Sequence, residues 1–254
     1  MFLRNKPLLI INIRAIIMTM MIMFGVVITT GRLNGETFSK NKKIVVLDPG
    51  HGGHDNGVRG PEGIMEKAVT LSLARRIVAE LEEDFKVVMT RTDDYGMKIF
   101  ERTAAANHLK ADLFISLHTG GSFLHKTSGI SIFFFDEMSN TDQEKRPAIS
   151  KPDKNTPAPI AWHTIQIKHK KTSQALAVTI REHLRGQTGS LKRPVQSAPL
   201  IVLEGADMPV VLIEIGYLTN PAEEKKLADP DYLSDLAKDI RNGVIDFFNK
   251  DPGT

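Results

Sequence analysis

Cysteine is absent from the 254 residues of this chain. This absence excludes disulfides, cysteine nucleophiles and metal sites built on thiolates, so any bound metal must be held by histidines and carboxylates. Two other catalytic or binding patterns are missing. The sequence has no GxSxG turn to carry a serine nucleophile, and its glycine-rich segment DPGHGG does not match the phosphate-binding pattern GxxxxGK[ST].

A concentration of basic charge is also lacking in the main part of the chain. The formal charge of +3 arises in residues 1–40, which hold five Lys and Arg residues and one acid, leaving 28 basic and 29 acidic residues for the remainder. Nucleic-acid-binding proteins usually show a concentrated basic face. The composition therefore predicts no nucleic-acid partner. With 41% apolar and 25% charged residues, it is the composition of a globular protein.

The N-terminal segment has the features of an export signal. Arg4, Lys6 and Arg14 flank residues 15–30, a run without charge. A basic flank followed by a short apolar stretch is typical of a secretory leader, whereas a spanning helix needs about 20 apolar residues. We therefore predict that residues 1–41 form a signal peptide or an N-terminal membrane anchor with a polar spacer. The protein would then be exported to the periplasm or cell envelope and meet the membrane only through this segment; a buried apolar helix is the alternative.

Strand patterns alternate with helix patterns after residue 42. Short runs rich in β-branched and aromatic residues predict strands at 43–47, 85–90, 112–118, 129–135, 199–203 and 210–215. Amphipathic spacing predicts helices at 66–84, 99–109, 172–185 and 232–249, and Asn220 before Pro221 is typical of a helix N-cap. This alternation predicts a single α/β domain over residues 42–250. Its sheet should be mixed, mostly parallel and twisted, with helices on both faces.

Residues 136–171 interrupt this alternation. The segment is polar and charged, and it contains four prolines: Pro147, Pro152, Pro157 and Pro159. Such a composition predicts mainly a long loop or insertion. Loops of this length are often functional or disordered. Two interpretations follow: a cover over the functional site that an activator protein would open, or a surface insertion without such a role.

Three residues capable of metal or acid–base chemistry fall near the ends of predicted strands. His51 follows the first strand, His118 ends the third and Glu214 lies late in the last. Ligands of parallel α/β sheets bind beyond the carboxyl ends of the strands, so we expect these side chains to meet Glu66, at the start of the first helix, at one rim. Two imidazoles and one carboxylate form a familiar catalytic zinc shell. Glu214, which lies in an apolar run where an unpartnered carboxylate is costly, would then be the general base.

Each of these four residues also has a structural interpretation. A histidine at a strand end is more often structural than a metal ligand. Glu66 alone would be favoured in the first turn of a helix by the helix dipole. Glu214 alone could be a hydrogen-bonded carboxylate of the core. The residue pattern by itself leaves both interpretations open.

The joint pattern is more specific than its parts. The chain resembles the zinc-dependent N-acetylmuramoyl-L-alanine amidases, the catalytic domain of bacterial cell-wall amidases, in six segments that occur in the family's order. These are IVVLDPGHGGHDNGVRG (44–60), MEKAVTLSLA (65–74), VVMTRTDD (87–94), ERTAAAN (101–107), ADLFISLH (111–118) and PVVLIEIGYLTNPAEEKKL (209–227).

The resemblance implies both a function and a site. His51, Glu66 and His118 correspond to the family's zinc ligands, with one Zn²⁺ per chain, and Glu214 corresponds to its catalytic glutamate. The family hydrolyses the amide between the lactyl group of N-acetylmuramic acid and the L-alanine of the stem peptide. The expected partner is therefore peptidoglycan. Two other functions stay open: a zinc peptidase that cuts within the stem peptide, and a non-catalytic peptidoglycan-binding regulator.

The sequence departs from the family after His118. Family members commonly continue as His-Ala-Asn, whereas this chain has Thr119-Gly120-Gly121, so the hydrogen bond of the lost asparagine must be absent or supplied elsewhere.

We assign no catalytic or metal-binding role to three further residues. His54 occupies a position that the resemblance marks as variable, and we do not expect it to bind metal. Arg91 and Arg102 match family positions and are expected to pair with acids such as Asp94 or Asp112.

Overall fold

The structure, a computed structural model, describes residues 42–136, 162–188 and 195–250. These described residues group into one structural unit. The predicted leader lies outside the described residues, as does the 137–161 part of the Pro-rich insertion. Among the described helices, none combines the length and the apolar character needed to cross a membrane.

Six strands of the described residues form one sheet. They are β1 (Ile44–Pro49), β2 (Lys86–Met89), β3 (Leu113–Gly120), β4 (Ser131–Phe135), β5 (Gln196–Ala198) and β6 (Val210–Tyr217). Their order across the sheet is β2-β1-β3-β6-β4-β5. The first four strands of this order are parallel, whereas β4 and β5 run in the opposite direction, because β4 pairs antiparallel with β6 and parallel with β5. The predicted mixed, mostly parallel sheet is confirmed.

Helices connect and cover these strands. The described ones are α1 (Glu66–Leu81), α2 (Ile99–His108), α3 (Trp162–Ile167), α4 (Lys170–Thr188), α5 (Pro221–Ala228) and α6 (Pro230–Lys250), with a 3₁₀ turn at Ile201–Leu203. The predicted N-cap is confirmed. Asn220 Oδ1 accepts a hydrogen bond from Ala222 N at 3.0 Å, and Pro221 occupies the first turn of α5.

The two faces of the sheet bury unequal amounts of apolar surface. On one face, Leu47, Ile115 and Ile213 pack in the main core with α1, α4 and α6. On the other face, Phe114 and Leu212 pack in a smaller core with α2 and the 3₁₀ turn. Burial on both faces explains why the strands read as continuous apolar runs, and it confirms helices on both faces. Because side chains alternate along a strand, Glu214 shares the face of Leu212, where the cover is thinner.

The prediction of a strand at residues 199–203 is wrong. The strand β5 lies earlier and pairs with β4, whereas residues 201–203 form a 3₁₀ turn in which Leu203 N donates to Leu200 O at 3.0 Å. A short apolar run does not distinguish a strand from a helical segment. Leu203 is apolar because it is buried in the smaller core.

The prediction that residues 136–171 form mainly a loop is wrong at the C-terminal end of that segment, where α3 and the start of α4 lie. Gln166 is completely buried there. Its side-chain amide donates to the carbonyl oxygens of Ala206 and, at 2.8 Å, of Met208, just before β6. This tertiary contact ties α3 to the sheet, and local composition contains no sign of it.

Gly243 lets α6 approach α4 closely. A Cβ atom at this position would lie 2.7 Å from the Cα atom of Ile180. We expect Gly243→Ala to lower the free energy of unfolding by about 1–3 kcal/mol, although alanine by itself favours a helix by up to about 1 kcal/mol. Chemical denaturation of the full chain measures this change. The matched control is Asn242→Ala at an exposed position of the same helix, for which a change below about 0.5 kcal/mol is expected. An unchanged unfolding midpoint for Gly243→Ala would contradict the close approach.

Candidate metal centre

The four predicted site residues line one cavity at the carboxyl ends of the parallel strands. His51 lies in the loop that follows β1, and His118 lies near the end of β3. Glu66 is the first residue of α1. Glu214 of β6 is the register partner of His118. Neighbouring strands are about 4.8 Å apart, so side chains in register on the same face are close to each other.

Glu66 bridges the two histidines. Its Oε2 atom lies 3.1 Å from Nε2 of His51, and its Oε1 atom lies 2.9 Å from Nδ1 of His118. The two imidazole rings are 5.0 Å apart between centroids and nearly perpendicular, at 79°. One ligand atom from each of the three residues lies within 4.8 Å of the others. A carboxylate this close to two ring nitrogens is stabilised by positive charge between the three side chains. Protons on the rings or a metal cation supply that charge, so this group could hold a metal ion.

The pKa of the Glu66 carboxyl group is lowered although the residue is only 1% exposed. Burial by itself raises the pKa of this group, but the hydrogen bonds and charges of His118 and His51 outweigh burial and hold the pKa well below its usual range. Two backbone amides add to this effect, because Val58 N and Thr119 N donate to the carboxylate at 2.8 and 2.9 Å. A residue favoured only by the helix dipole would have no need of these partners.

Asp55 orients the His51 ring, and the sequence reasoning missed it. The Nδ1 atom of His51 lies 2.7 Å from Oδ2 of Asp55. A carboxylate only accepts, so Nδ1 carries the proton and Nε2 is turned towards Glu66. Burial lowers the pKa of His51, but Glu66 and Asp55 more than compensate and raise it. An acid four residues after the histidine in a glycine-rich loop was the available signal.

Two arginines hold the loop that carries His51. Arg91 donates to the carbonyl oxygens of Pro49 and Gly50, each at 2.9 Å. Arg102 donates to His51 O at 3.0 Å and to Pro49 O at 3.0 Å. These contacts fix the backbone on which His51 adopts its positive φ of 62°, a conformation that non-glycine residues rarely take.

The predicted acid partners of these arginines are wrong. Arg102 pairs with the completely buried Asp48 at 2.7 Å. In contrast, Asp94 pairs with Lys67 at 2.8 Å and Asp112 pairs with Lys43 at 3.0 Å. Arg91 mainly bonds backbone carbonyls. These pairs form between elements that meet only in the folded chain, because Asp48 lies on β1 and Arg102 on α2.

Glycines bring the backbone close to His51, Glu66 and His118, the three candidate metal ligands. At Gly50, a Cβ atom would collide with the His118 ring. At Gly57, which has a φ of +64°, a Cβ atom would lie 2.5 Å from Oε2 of Glu66 and 2.6 Å from Cδ2 of His51. The absence of side chains at these glycines thus lets the loop backbone lie close to His51, Glu66 and His118.

Glu224 of α5 supports the segment before Glu66 and was also missed. It is completely buried, and its carboxylate accepts hydrogen bonds from Glu62 N at 2.8 Å and Ile64 N at 3.1 Å. Gly60 leaves room for this carboxylate, because a Cβ atom there would collide with it. The position of Glu66 therefore depends on a side chain far away in the sequence. The matching segment PAEEKKL was the only signal.

The cavity beside this group has a volume of about 390 Å³. Glu214 lines it and is half-buried. Three of the other lining residues lie next to the candidate ligands: Gly57, Val58 and Thr119. The remaining three form an apolar wall: Phe133, Leu200 and Leu212. A polar corner facing an apolar wall suits a ligand with one reactive polar group.

The departure after His118 has a structural counterpart. A Cβ atom at Gly120 would lie 2.7–2.9 Å from the ring of Tyr217 on β6. The ring thus occupies the space where a side chain at position 120 would begin. His54 is exposed and outside the group of possible metal ligands found among the described residues.

Comparison with known sequences gives consistent matches over most of the chain. The profile of the family described as N-acetylmuramoyl-L-alanine amidase matches residues 45–246. A putative N-acetylmuramoyl-L-alanine amidase of Buchnera aphidicola subsp. Baizongia pistaciae is 30% identical over 210 residues, covering 82% of this chain and 97% of the relative. The N-acetylmuramoyl-L-alanine amidase AmiA of Escherichia coli K12 is 29% identical over 225 residues, covering 83% and 78%.

Solved structures give the same picture. The catalytic domain of CwlV, an N-acetylmuramoyl-L-alanine amidase from Bacillus (Paenibacillus) polymyxa var. colistinus, superposes with a TM-score of 0.66 at 26% identity and covers 82% of this chain and 98% of that domain. An N-acetylmuramoyl-L-alanine amidase from Clostridium difficile 630 has a TM-score of 0.66 at 27% identity, with coverages of 82% and 98%.

Asp55 is expected to strengthen metal binding through His51. Asp55→Ala removes the acceptor of Nδ1 and leaves the ring free to turn, and loss of such an outer partner lowers metal affinity about 10- to 100-fold. Competition with a chromophoric chelator measures the affinity for an added divalent metal. His54→Ala, a change in the same loop, is the matched control and should retain the affinity of the unmodified chain. Equal affinities for Asp55→Ala and the unmodified chain would refute the orienting role.

Proposed function

The chain belongs to the N-acetylmuramoyl-L-alanine amidase family, and on that premise we propose how its own residues bring about amide hydrolysis. It is a peptidoglycan hydrolase, and the bond it cleaves joins N-acetylmuramic acid to L-alanine. Such hydrolysis needs a nucleophilic water, a polarised carbonyl and a proton for the leaving nitrogen.

We assign the binding of one Zn²⁺ per chain to His51, Glu66 and His118. Two imidazoles and one carboxylate suit zinc, whereas sets of oxygen ligands suit magnesium or calcium. The close grouping of the three donor atoms, within 4.8 Å, supports the assignment. When bound, zinc would supply a Lewis acid that polarises the lactyl carbonyl and lowers the pKa of a coordinated water to about 7.

We assign proton transfer to Glu214. Its carboxylate accepts a proton from the attacking water while the water oxygen bonds to the carbonyl carbon. The same group then donates that proton to the alanine nitrogen as the carbon–nitrogen bond breaks, which yields a lactyl carboxylic acid and a free amine. The acid then passes its remaining proton to the amine, giving a carboxylate and an ammonium group. Its half-buried position in register with His118 supports this role. Phe133, Leu200 and Leu212 line the apolar side of the same cavity.

One observation carries the proposal. The Glu66 carboxylate, with 1% exposure, lies within 3.1 Å of a ring nitrogen of each of two imidazoles at the edge of a cavity that a second glutamate lines. Placing a carboxylate in the interior is costly unless its partners compensate. A functional role explains why a buried carboxylate lies beside an open cavity despite the free-energy cost of burying it.

We also propose that the protein acts in the periplasm or cell envelope. Its substrate is the wall polymer, and residues 15–30 have the sequence of an export segment. In this proposal residues 1–41 act as a signal peptide or anchor and residues 42–250 form the catalytic domain. The insertion at residues 136–171 is the candidate point of action for an activator protein; its residues 137–161 lie outside the described part of the chain.

Digestion of isolated sacculi tests the reaction and its metal. The full chain is expected to release intact stem peptides that begin with L-alanine, leaving intact glycan, as measured by mass spectrometry. A chelator should abolish this release, added Zn²⁺ should restore it, and elemental analysis should find about one zinc per chain. Fragments cut within the stem peptide would identify a peptidase instead. Binding to sacculi without any release would identify a non-catalytic regulator.

Glu214→Gln is expected to lower kcat about 10²- to 10⁴-fold, because the amide keeps the shape of the carboxylate but cannot take up the proton. Zinc content should be unchanged, since Glu214 is outside the ligating group. Release of stem peptides and elemental analysis measure the two effects. Glu62→Gln, a change at an exposed acid, is the matched control. A variant with full turnover, or one that has lost its zinc, would refute the assigned role.

A further inference from the structure

The loop after β3 presents two apolar side chains to solvent. Phe123 is 100% exposed and Leu124 is 76% exposed, more than any other large hydrophobic residue among those described. Leaving a phenylalanine and a leucine in water forfeits the free energy that their burial would contribute. Adjacent exposed apolar side chains of this kind often mark a binding surface.

Hydrogen bonds on both sides hold this pair in place. Before it, Ser122 N donates to Oγ1 of Thr219 at 2.9 Å. After it, Nδ1 of His125 lies 2.9 Å from the carbonyl oxygen of Thr219, and Thr127 Oγ1 donates to Ser122 Oγ at 2.9 Å. The exposure therefore belongs to a fixed loop, which is suited to presenting side chains to a ligand.

The loop is continuous with the rim of the catalytic cavity. A Cβ atom at Gly121 would lie 3.1 Å from Cγ2 of Val58, which lines the cavity. Thr219, the anchor of the loop, follows β6, the strand that carries Glu214. The apolar pair thus lies on the loop that follows β3, and this loop is hydrogen-bonded to the segment that follows β6.

We propose that Phe123 and Leu124 form a subsite for the glycan strand of peptidoglycan, a proposal that rests on the function assigned above. The scissile bond joins a sugar to a peptide, so the glycan must leave the cavity across its rim when that bond reaches the ligating group. Sugar rings have an apolar face of C–H groups, on which an aromatic ring can pack. A phenylalanine on a hydrogen-bonded loop, with a leucine beside it, offers such a surface.

The size of the pair favours sugar units over a protein partner. An aromatic side chain buries about 150–250 Å², so two side chains supply a few hundred Å² at most. Specific protein interfaces bury about 1,000 Å² or more. Stable attachment to a membrane likewise needs more apolar groups than two side chains provide.

The test compares a polymeric with a minimal substrate for the full-length, zinc-loaded protein. We expect Phe123→Ala/Leu124→Ala to lower the ratio of kcat/KM on soluble glycan chains bearing stem peptides to kcat/KM on a single muramoyl peptide by about tenfold. The change should lie mainly in KM for the chains. Phe123→Trp should retain the ratio, because an indole ring also packs on a sugar. Ile167→Ala is the matched control: it truncates an exposed apolar residue next to Gln166, at the opposite end of β6.

Each result decides the question. An unchanged ratio, or an equal loss on both substrates, overturns the glycan subsite. A concentration-dependent dimer that the double variant loses would assign the pair to a second copy, and loss of binding to anionic lipid vesicles with an unchanged ratio would assign it to a membrane. If the unmodified chain cleaves neither substrate, the assigned function fails instead, and that outcome is separate from failure of the subsite.

Discussion

A buried negative charge shared by two imidazoles is the constraint on which the site depends. The Glu66 carboxylate is compensated by His51, His118 and the amides of Val58 and Thr119. An uncompensated charge in this position would cost several kcal/mol, so the partners must all be in place together. The Glu66 side chain thereby links the first turn of α1 to the loop after β1 and to the end of β3. These three segments carry the three candidate metal ligands.

A buried ion pair between Asp48 and Arg102 supports the loop that carries His51. Asp48 is completely buried and accepts hydrogen bonds from Thr90, Ser116 and Arg102, at 2.6, 2.8 and 2.7 Å. Arg102 in turn bonds to the carbonyl oxygen of His51. The geometry of His51, one of the three candidate metal ligands, is therefore supported by an ion pair between β1 and α2. The glycines allow the loop backbone to adopt positive φ angles. The hydrogen bonds from the arginines then hold the backbone in one conformation among the many that glycine allows.

The success of sequence reasoning differed from residue to residue. Five of the six strands and the cavity residues His51, Glu66, His118 and Glu214 were predictable, because apolar runs mark the strands and parallel strands bring their carboxyl ends together. Asp55 was missed because an exposed acid in a loop is common, and its importance lies only in its distance to His51. Glu224 was missed because its partners are about 160 residues away. The helix α3 was missed because it is held by the buried side chain of Gln166 rather than by its own composition.

By itself, the sequence determined the types of most elements, the mixed sheet, the family and the chemical nature of the site residues, because these follow from local periodicity and from motifs that neighbouring residues form. Tertiary structure alone decided which acid pairs with Arg102, how Asp55 turns His51 and where Phe123 and Leu124 lie relative to the cavity. The physical reason is that hydrogen bonds and ion pairs depend on distances of a few ångströms between side chains. Strand register and loop geometry set those distances, and they arise only when remote segments pack together.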